Sequence, residues 1–414
     1  MPKHGALTIQ IFACALAGLL CAAQAADSPP PPDAATYRRL ASETEANLQT
    51  QVLAMWFPRA IDAQGGFAQN FGEDWTPGAS DGQAIVYQSR LTWVAAQAAM
   101  RYPAQAATYT KDARHGLAFM ETRMWDAQDG GFYWGLDAKG VPVRDGEKHV
   151  YGISFAIYAA CAEYKATHDA NALLLAQRAF RWLETHAHDA KNGGYYEALT
   201  RAGKPILTPV GTATNDEIGT HYGLKTMNTH IHLLESLSAL YAVWPDPGLR
   251  KRLEELFELV RDKIAVEQIG CLNMYFMPNW RPLPDHDSFG HDVETAFLLV
   301  EASGALGRPD DTRTWALARR IVDHALDVGW DADNGGFYDA GPVYGSPFTT
   351  DKVWWVQAEG LNALLLMHAH YGRETPRYWT AFNQQWDFIQ HKQTDAKYGG
   401  WYAKVTGEGA PFPG

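Results

Sequence analysis

The chain has 414 residues, enough for two or three average domains or for one large one. Apolar residues make up 46% and charged residues 20%, a composition that is typical of globular proteins and excludes a disordered chain. The 47 acidic residues outnumber the 35 basic ones, and the resulting net charge of −12 argues against a nucleic-acid or anionic-membrane partner. The 15 tryptophans fit either a large core or rings that stack on flat ligands.

The N-terminal segment has the pattern of a secretory signal peptide. Lys3 supplies a positive start, residues 6–21 form an uncharged apolar stretch, and Ala23-Gln24-Ala25 is a small-residue cleavage site. The stretch is too short to span a membrane comfortably. We therefore predict a signal peptide over residues 1–25 and a proline-rich linker over residues 26–36. The mature protein is expected to be secreted or periplasmic, with no membrane attachment.

Cysteine use and known motifs argue against a metal or cofactor. After removal of the signal peptide only Cys161 and Cys271 remain, and no C-x-x-C pair favours a thiolate metal site. A lipoprotein anchored through Cys21 is a weaker alternative to a cleaved signal. The sequence lacks a glycine-rich phosphate loop, a G-x-S-x-G turn and an H-E-x-x-H helix. We therefore predict no nucleotide cofactor and no serine-based chemistry.

One short phrase recurs at intervals of about 64 residues: an aspartate, a few residues, two glycines and an aromatic residue. Asp with paired glycines is turn chemistry, because glycine adopts positive φ freely, and the aromatic residues that follow predict a short strand or hairpin. A degenerate copy over residues 270–275 fills the one double-length interval, which makes six units. The complete copies span residues 62–67, 126–133, 189–196, 331–338 and 395–402.

The segments between these phrases have helical periodicity, with roughly two helices per unit. Residues 150–158 and 353–359 are apolar on nearly all sides, as inner helices buried between two layers would be, whereas 249–263 is more charged. We therefore predict an all-α fold, one closed (α/α)6 barrel over residues 37–414 with short β-hairpins at one rim. The predicted helices cover 83–100, 150–165, 173–186, 226–243, 249–263, 291–306, 312–328, 352–371 and 377–391.

The segment from Gly290 to Glu294 opens one of these helices. His291 and Glu294 are three residues apart and share a helix face, where a carboxylate raises the basicity of an imidazole and fixes its tautomer. The pair is a candidate general acid or base. The structural alternative is that His291 or Asp292 only caps the helix.

Two histidines, His230 and His232, lie near the start of another predicted helix. On a strand they would face together and could bind a metal ion, but on a helix positions i and i+2 diverge by about 200°. The apolar pattern is helical, so we predict no metal site here and expect at most one of the two side chains to face a central cavity. The alternative for each is a hydrogen-bonded core histidine.

Arg90, Trp355 and Glu359 lie on further predicted inner helices. A buried arginine needs a carboxylate or a ligand oxygen, and structural pairing is the commoner outcome. Trp355 and Glu359 are i and i+4 on one helix, and an aromatic face beside a carboxylate suits sugar binding. Core packing is an equal alternative for Trp355.

Three segments resemble the N-acylglucosamine 2-epimerase family, and most of all its cellobiose 2-epimerase branch: Lys225–His232, Gly290–Glu294 and Trp354–Glu359. The Arg90 region also fits, and the similarity extends over nearly the whole mature chain. The resemblance implies an (α/α)6 barrel that epimerises a reducing-end sugar at C2. The sugar ring opens, a base removes the C2 proton, an enediolate forms, and an acid returns a proton to the opposite face, with no cofactor and no metal.

The resemblance also implies roles for particular residues. His291 would be one of two acid/base histidines, with Glu294 holding it, and His230 would assist ring opening or bind sugar oxygens. Arg90 would hold the oxygens at C1 to C3. The implied substrate is a cellobiose-like disaccharide, with mannose and an N-acetylhexosamine as alternatives. The residues expected to bind the sugar are Arg90, Tyr151, Asn228, Trp355 and Glu359.

The chain departs from the family at its C-terminal end. Family members carry their second acid/base histidine a few dozen residues past the last Gly-Gly-aromatic phrase, whereas no histidine follows Tyr402 here. His391 precedes that phrase and is better explained as a solvated helix end. We therefore expect a barrel that is incomplete at its C-terminus, or one that completes its chemistry differently.

Three functions remain open from the sequence. The first is a sugar 2-epimerase or aldose–ketose isomerase. The second is a glycoside hydrolase on the same barrel, which needs two carboxylates about 5–10 Å apart across the cavity. The third is a catalytically inactive sugar-binding relative. Each has a small sugar as its partner, and the protein is expected to be a monomer or a homodimer. The acids available for hydrolysis are Glu73, Asp74, Asp292, Glu294 and Glu359.

Overall fold

A computed structural model describes residues 32–57 and 59–412. The predicted signal peptide and most of the predicted linker lie outside these residues. The described part is mainly helical, and none of its helices combines the length and the apolarity needed to cross a membrane.

Among the described residues, eleven helices of at least twelve residues follow one another in the chain. All nine predicted helices are present, with ends that shift by a few residues, and α1 and α3 were not predicted. A π-helical turn extends α1, α3, α7 and α11. The helices are α1 Ala34–Asn47, α2 Ile85–Arg101, α3 Ala106–Phe119, α4 Val150–Thr167, α5 Ala170–His186, α6 Met227–Val243, α7 Pro247–Leu259, α8 Phe289–Ala305, α9 Thr312–Val328, α10 Trp354–Tyr371 and α11 Arg377–Phe388.

The helices form two layers. The even-numbered helices α2 to α10 are the inner layer, in which each contacts the next, and each is covered by the odd-numbered helix that follows it in the chain. Helix α1 lies beside α11, where Nε1 of Trp386 donates to Glu43 at 3.1 Å. This is the predicted all-α (α/α)6 architecture. Within the described residues, the inner layer begins at α2 and ends at α10, and these two helices make no extensive contact with each other.

Short strands of two residues connect the units, and all of their pairings are antiparallel. The strand before each inner helix pairs with the strand that follows the next Gly-Gly phrase, so the inner helices all begin at the same rim. The strands are β1 Gln83–Ala84, β2 Gly135–Leu136, β3 Lys148–His149, β4 Ala198–Leu199, β5 Lys225–Thr226, β6 Ala265–Val266, β7 Cys271–Leu272, β8 Tyr275–Phe276, β9 Pro282–Leu283, β10 Asp287–Ser288, β11 Ala340–Gly341, β12 Lys352–Val353 and β13 Lys404–Val405.

A buried ion pair fastens three of the repeat phrases to the inner helix of their unit. The lysine that begins the strand before the helix reaches the aspartate of the phrase, and it also donates to the carbonyl oxygen of the first glycine. These lysines are at most 1% exposed. The pairs are Asp126–Lys148 at 3.1 Å, Asp189–Lys225 at 2.8 Å and Asp331–Lys352 at 2.8 Å.

Lys352 allows a test of what such a pair contributes. Its ammonium group also donates to the carbonyl oxygens of Gly335 at 2.6 Å and Gly407 at 3.0 Å. Lys352→Met leaves the buried Asp331 carboxylate without its cation, so we expect the free energy of unfolding in urea to fall by about 3–5 kcal/mol. Lys139→Met, at an exposed position, should change it by less than about 0.5 kcal/mol. Equal losses in the two variants would contradict a structural role for the buried pair.

Candidate active site

The candidate site is the lumen at the rim where the inner helices begin. Because each helix starts directly after its strand, side chains at the same distance from the first strand residue lie at the same level of the lumen. The upper level consists of the residues three positions after the first residue of each strand. They include Tyr151, Asn228, Gly290 and Trp355. The lower level lies one helical turn deeper and consists of the residues seven positions after the first residue of each strand. They are Arg90, Phe155, His232, Glu294 and Glu359.

His232 is a central member of the lower level. Its ring packs against Phe155 at a centroid distance of 4.6 Å and against Tyr151 at 5.3 Å. Its Nδ1 lies 3.1 Å from Oε2 of Glu235, and its Nε2 lies 3.8 Å from Oε1 of Glu294. Burial lowers the pKa of His232 well below its usual range, and a nearby arginine adds to this shift. The side chain is therefore a neutral imidazole between two acidic groups.

His230 does not face the lumen. The prediction that it lies beside the substrate is therefore wrong. Its side chain is fully buried, with Nδ1 donating to the Thr226 carbonyl at 2.7 Å and Nε2 accepting from the Tyr195 N–H at 3.0 Å. Gln88 and Gln357 occupy the position of His230 in their own units, counted from the first residue of the strand. Their Oε1 atoms accept the N–H groups of the phrase aromatics Phe67 and Phe337 at 2.8 and 3.0 Å. His230 thus holds a repeat phrase against its helix, and both of its ring nitrogens are occupied.

His291 lies at the rim in the first turn of α8 and is partly buried. Its Nδ1 is 2.7 Å from Oγ of Ser288, and its ring packs against Trp355 at a centroid distance of 4.8 Å. Its Nε2 forms no hydrogen bond with any described residue. Glu294 was expected to hold this imidazole, but its carboxylate lies beside His232, and Ser288 orients the ring instead.

Three carboxylates and one arginine share the lumen. Burial raises the pKa of Glu235 and of Glu359 to about 7, although the charge of Arg90 lowers both. Burial also raises the pKa of Glu294 well above its usual range. The Arg90 guanidinium is exposed, lies 4.2 Å from the centre of the Phe155 ring and forms no ion pair with any described residue. Its donors are therefore available to ligand oxygens.

The upper level offers a polar and an aromatic surface. Asn228 is one turn before His232, and its buried Oδ1 has no hydrogen-bond partner among the described residues. Trp355 is partly buried, and Gly290 makes room for it, because a Cβ at that position would lie 2.6 Å from the indole ring. Tyr151 is partly buried next to His232.

The structure brings together seven of the eight residues that the sequence singled out for the site, all except His230. It adds three that sequence reasoning missed, namely His232 as the lumen histidine, Glu235 and Ser288. The sequence does contain the information that identifies His232. When the repeat units are aligned, it occupies the same position as Arg90 and Glu359 in their units. The residues brought together are Arg90, Tyr151, Asn228, His291, Glu294, Trp355 and Glu359.

Among the described residues, one group of three side chains has the spacing of metal ligands, and it lies outside the lumen. It consists of Asp287 in β10, Asp292 in α8 and His324 in α9. All three side chains are buried behind the lumen wall.

The chain matches the family described as N-acylglucosamine 2-epimerase (GlcNAc 2-epimerase) over residues 65–412. It belongs to this family. It is 30% identical over 380 residues to the cellobiose 2-epimerase of Bacteroides fragilis, with 90% of this chain and 92% of that protein covered. It is 25% identical over 378 residues to the D-mannose isomerase of Marinomonas mediterranea, with 86% and 88% covered. The family predicted from the sequence is confirmed, and the chain is an enzyme of the sugar 2-epimerase and isomerase class.

Solved structures share the fold. The cellobiose 2-epimerase from Spirochaeta thermophila superposes with a TM-score of 0.81 at 32% identity, and 93% of each chain is covered. A GH76 α-mannanase from Bacteroides thetaiotaomicron has a TM-score of 0.60 at 12% identity, with 87% of each chain covered. The second likeness concerns the barrel alone.

The structural role of His230 can be tested by stability. His230→Ala leaves the buried Tyr195 N–H without an acceptor, so we expect the free energy of unfolding to fall by about 1–3 kcal/mol. His230→Gln should retain most of the stability, because Gln88 and Gln357 accept the same bond in their own units. Urea denaturation measures both variants, and equal losses would refute the proposed acceptor role.

Proposed function

We propose that the protein epimerises or isomerises a small sugar at C2 of its reducing end, with a cellobiose-like disaccharide as the preferred substrate. The proposal rests on the His291 imidazole at the rim, whose ring packs against Trp355 and whose Nε2 has no hydrogen-bond partner among the described residues. The same lumen holds the Arg90 guanidinium, which forms no ion pair within that part of the chain. Similarity to cellobiose 2-epimerases supports the disaccharide, and similarity to D-mannose isomerases supports mannose as the alternative.

Ring opening is the first step in this scheme. The bond between C1 and the ring oxygen breaks, and a proton moves from the C1 hydroxyl to the ring oxygen. His232 is suited to this transfer, because it is a neutral imidazole that can accept one proton and donate another. Asn228, one turn earlier on α6, offers a sugar hydroxyl an amide oxygen that has no hydrogen-bond partner in the described part of the chain.

Proton abstraction at C2 follows. Nε2 of His291 takes the C2 proton, which is acidic because C2 lies next to the new aldehyde carbonyl. The electron pair forms the C1–C2 double bond of the enediolate, and the negative charge collects on the C1 oxygen. Arg90 stabilises that charge, since its guanidinium forms no ion pair with a carboxylate of the described residues.

The returning proton needs a donor on the other face of the enediolate. Glu359 on α10 suits this role, because its pKa of about 7 leaves it partly protonated at neutral pH. A proton returned to C2 gives the epimer, whereas transfer of the C2 hydroxyl proton to the C1 oxygen followed by return of a proton to C1 gives the ketose.

A glycoside hydrolase is the second candidate, because several carboxylates face one lumen. Hydrolysis needs one protonated acid and one ionised carboxylate. Burial raises the pKa of both Glu235 and Glu359 to about 7, so neither is a strongly ionised nucleophile or base. The match to the 2-epimerase family and to cellobiose 2-epimerases favours the epimerase, because the likeness to the GH76 α-mannanase, at 12% identity, concerns the barrel alone.

We also propose that the enzyme acts outside the cytoplasm after removal of residues 1–25. The charged start, apolar stretch and small-residue cleavage site support this location. The substrate would then be met as a soluble sugar in the periplasm or the medium.

Proton exchange at C2 tests the reaction. In D2O with cellobiose, the wild-type protein should place deuterium at C2 of the reducing-end residue and form an epimer or a ketose, as followed by NMR. His291→Ala should slow the exchange by about 10²–10⁴-fold. His391→Ala should not, because that imidazole is 66% exposed at the end of α11.

Two other outcomes would contradict the proposed reaction. Release of glucose without an isomer would identify a hydrolase. Binding of cellobiose and mannose without any exchange would identify an inactive sugar-binding relative. Both are read from the same NMR spectra, so one set of samples distinguishes the three functions.

The two neighbouring histidines on α6 provide a matched pair of variants. His232→Gln removes the imidazole that we assign to ring opening, and we expect the rate of isomer formation to fall by about 10²-fold. His230→Gln should keep a rate close to that of the wild type, because glutamine replaces its structural bond. Comparable losses in both variants would contradict the assignment of His232 to the lumen chemistry.

A further inference from the structure

The fourth unit of the barrel breaks the Asp–Lys pattern of its neighbours. At the first position of the strand before α8, where three other units have a buried lysine, this unit has Asp287. Its degenerate phrase has Val266 where the other phrases have the aspartate. The backbone fixes this alignment, because Gly270 N donates to Val266 O at 2.8 Å just as Gly130 N donates to Asp126 O at 2.9 Å. A buried carboxylate therefore stands where the other units place a cation.

Two further buried side chains face Asp287. Asp292 lies five residues later in α8, and His324 reaches in from α9. Nδ1 of His324 lies 3.5 Å from Oδ2 of Asp287 and 3.9 Å from Oδ2 of Asp292, and one atom of each residue lies within 4.8 Å of the others. The two aspartates are 0% exposed and the histidine is 6% exposed.

The polar atoms of this cluster that lack a partner in the part of the chain that the structure describes are all hydrogen-bond acceptors, and they face one another. Nε2 of His324 lies 2.9 Å from the carbonyl oxygen of Val343, which can only accept, so Nε2 donates and Nδ1 presents its lone pair to the carboxylates. Among the described residues, neither Nδ1 nor any of the four carboxylate oxygens has a hydrogen-bond partner. No lysine or arginine in the described part of the chain forms an ion pair with Asp287 or Asp292. Buried groups left in this state are costly to the fold.

We propose that Asp287, Asp292 and His324 bind one divalent cation of the Zn²⁺ or Mn²⁺ type. Two carboxylates and one imidazole form a donor set that such ions accept. With metal–ligand bonds of about 2.0–2.2 Å, neighbouring ligand atoms are separated by about 3–4 Å, which fits the two distances from Nδ1. A histidine whose other ring nitrogen donates to a backbone carbonyl is already oriented as a metal ligand. The ion supplies the positive charge that a lysine supplies in the neighbouring units.

The ion connects three elements outside the lumen: β10, the first turn of α8 and the outer helix α9. It therefore positions the wall that carries His291 and takes no part in the proton transfers. The competing explanation is a set of protons in place of the metal, one shared by Asp287 and Asp292 and one on Nδ1 of His324. Burial raises the pKa of both carboxyl groups, so this alternative has to be tested.

Metal content of the full chain is the direct test. The protein, purified without a histidine tag or chelator and dialysed, should hold one Zn²⁺ or Mn²⁺ per chain by plasma mass spectrometry. Removal of the ion with a chelator should lower the Tm by several degrees, and Zn²⁺ or Mn²⁺ alone should restore it. His324→Ala should lose the ion, whereas His391→Ala should keep it.

The variant Asp292→Asn distinguishes between a bound metal ion and a shared proton as the explanation for this cluster. With a metal, this variant loses the ion, and its Tm falls to that of the chelator-treated wild type. With a shared proton, the wild type holds no stoichiometric metal, its Tm does not respond to Zn²⁺ or Mn²⁺, and Asp292→Asn is at least as stable because its amide donates to Asp287. The second set of results would overturn the proposal. The wild-type metal content and Tm response decide the question even if a variant fails to fold.

Discussion

The positions of three inner helices, α4, α6 and α10, depend on a buried ion pair between a turn aspartate and the lysine that begins the strand before the helix. The pair fixes the strand against the Gly-Gly turn, and the helix begins one residue after the strand ends. A slip of one residue would rotate every side chain of that helix by about 100°. Because the start is fixed, the fifth residue after the lysine bonds the turn in α6 and α10, where it is His230 and Gln357, and the seventh residue enters the lumen. His230 and His232 therefore lie on different faces of α6, with His230 bonded to the turn and His232 packed against Phe155 in the lumen.

Much of the fold could be predicted from the sequence. The repeat phrase, the hairpins and nine helices depend on local turn chemistry and on apolar periodicity, which the sequence displays directly. The two helices that were missed lack a strong apolar stripe. Helix α1 buries only Leu40, and α3 begins with the largely polar run Ala106–Asp112. Both helices are ordered by packing against their neighbours, which a pattern within one segment does not show.

The site was predictable only in part. Residues spaced i, i+4 on one helix were grouped correctly, as with Trp355 and Glu359. The prediction placed His230, and not His232, beside the sugar, and this was wrong. The answer depends on which face of the helix meets the lumen, and residues of other units determine that face. The partner of Glu294 is likewise on another helix. The Asp287 and His324 cluster joins residues that are far apart in sequence, so no local pattern could reveal it.

The chemistry assigned to the lumen requires a sugar held between the rim histidine of α8 and the acidic face of α10, with its C1 oxygen at the arginine of α2. A crystal structure with cellobiitol, the reduced and unreactive form of cellobiose, tests this most directly. We expect the C2 carbon to lie about 3–3.5 Å from Nε2 of His291, the C1 oxygen to bond to Arg90, and His230 to make no contact with the sugar. A sugar bound outside the lumen, or one that contacts His230 and leaves His291 free, would contradict it.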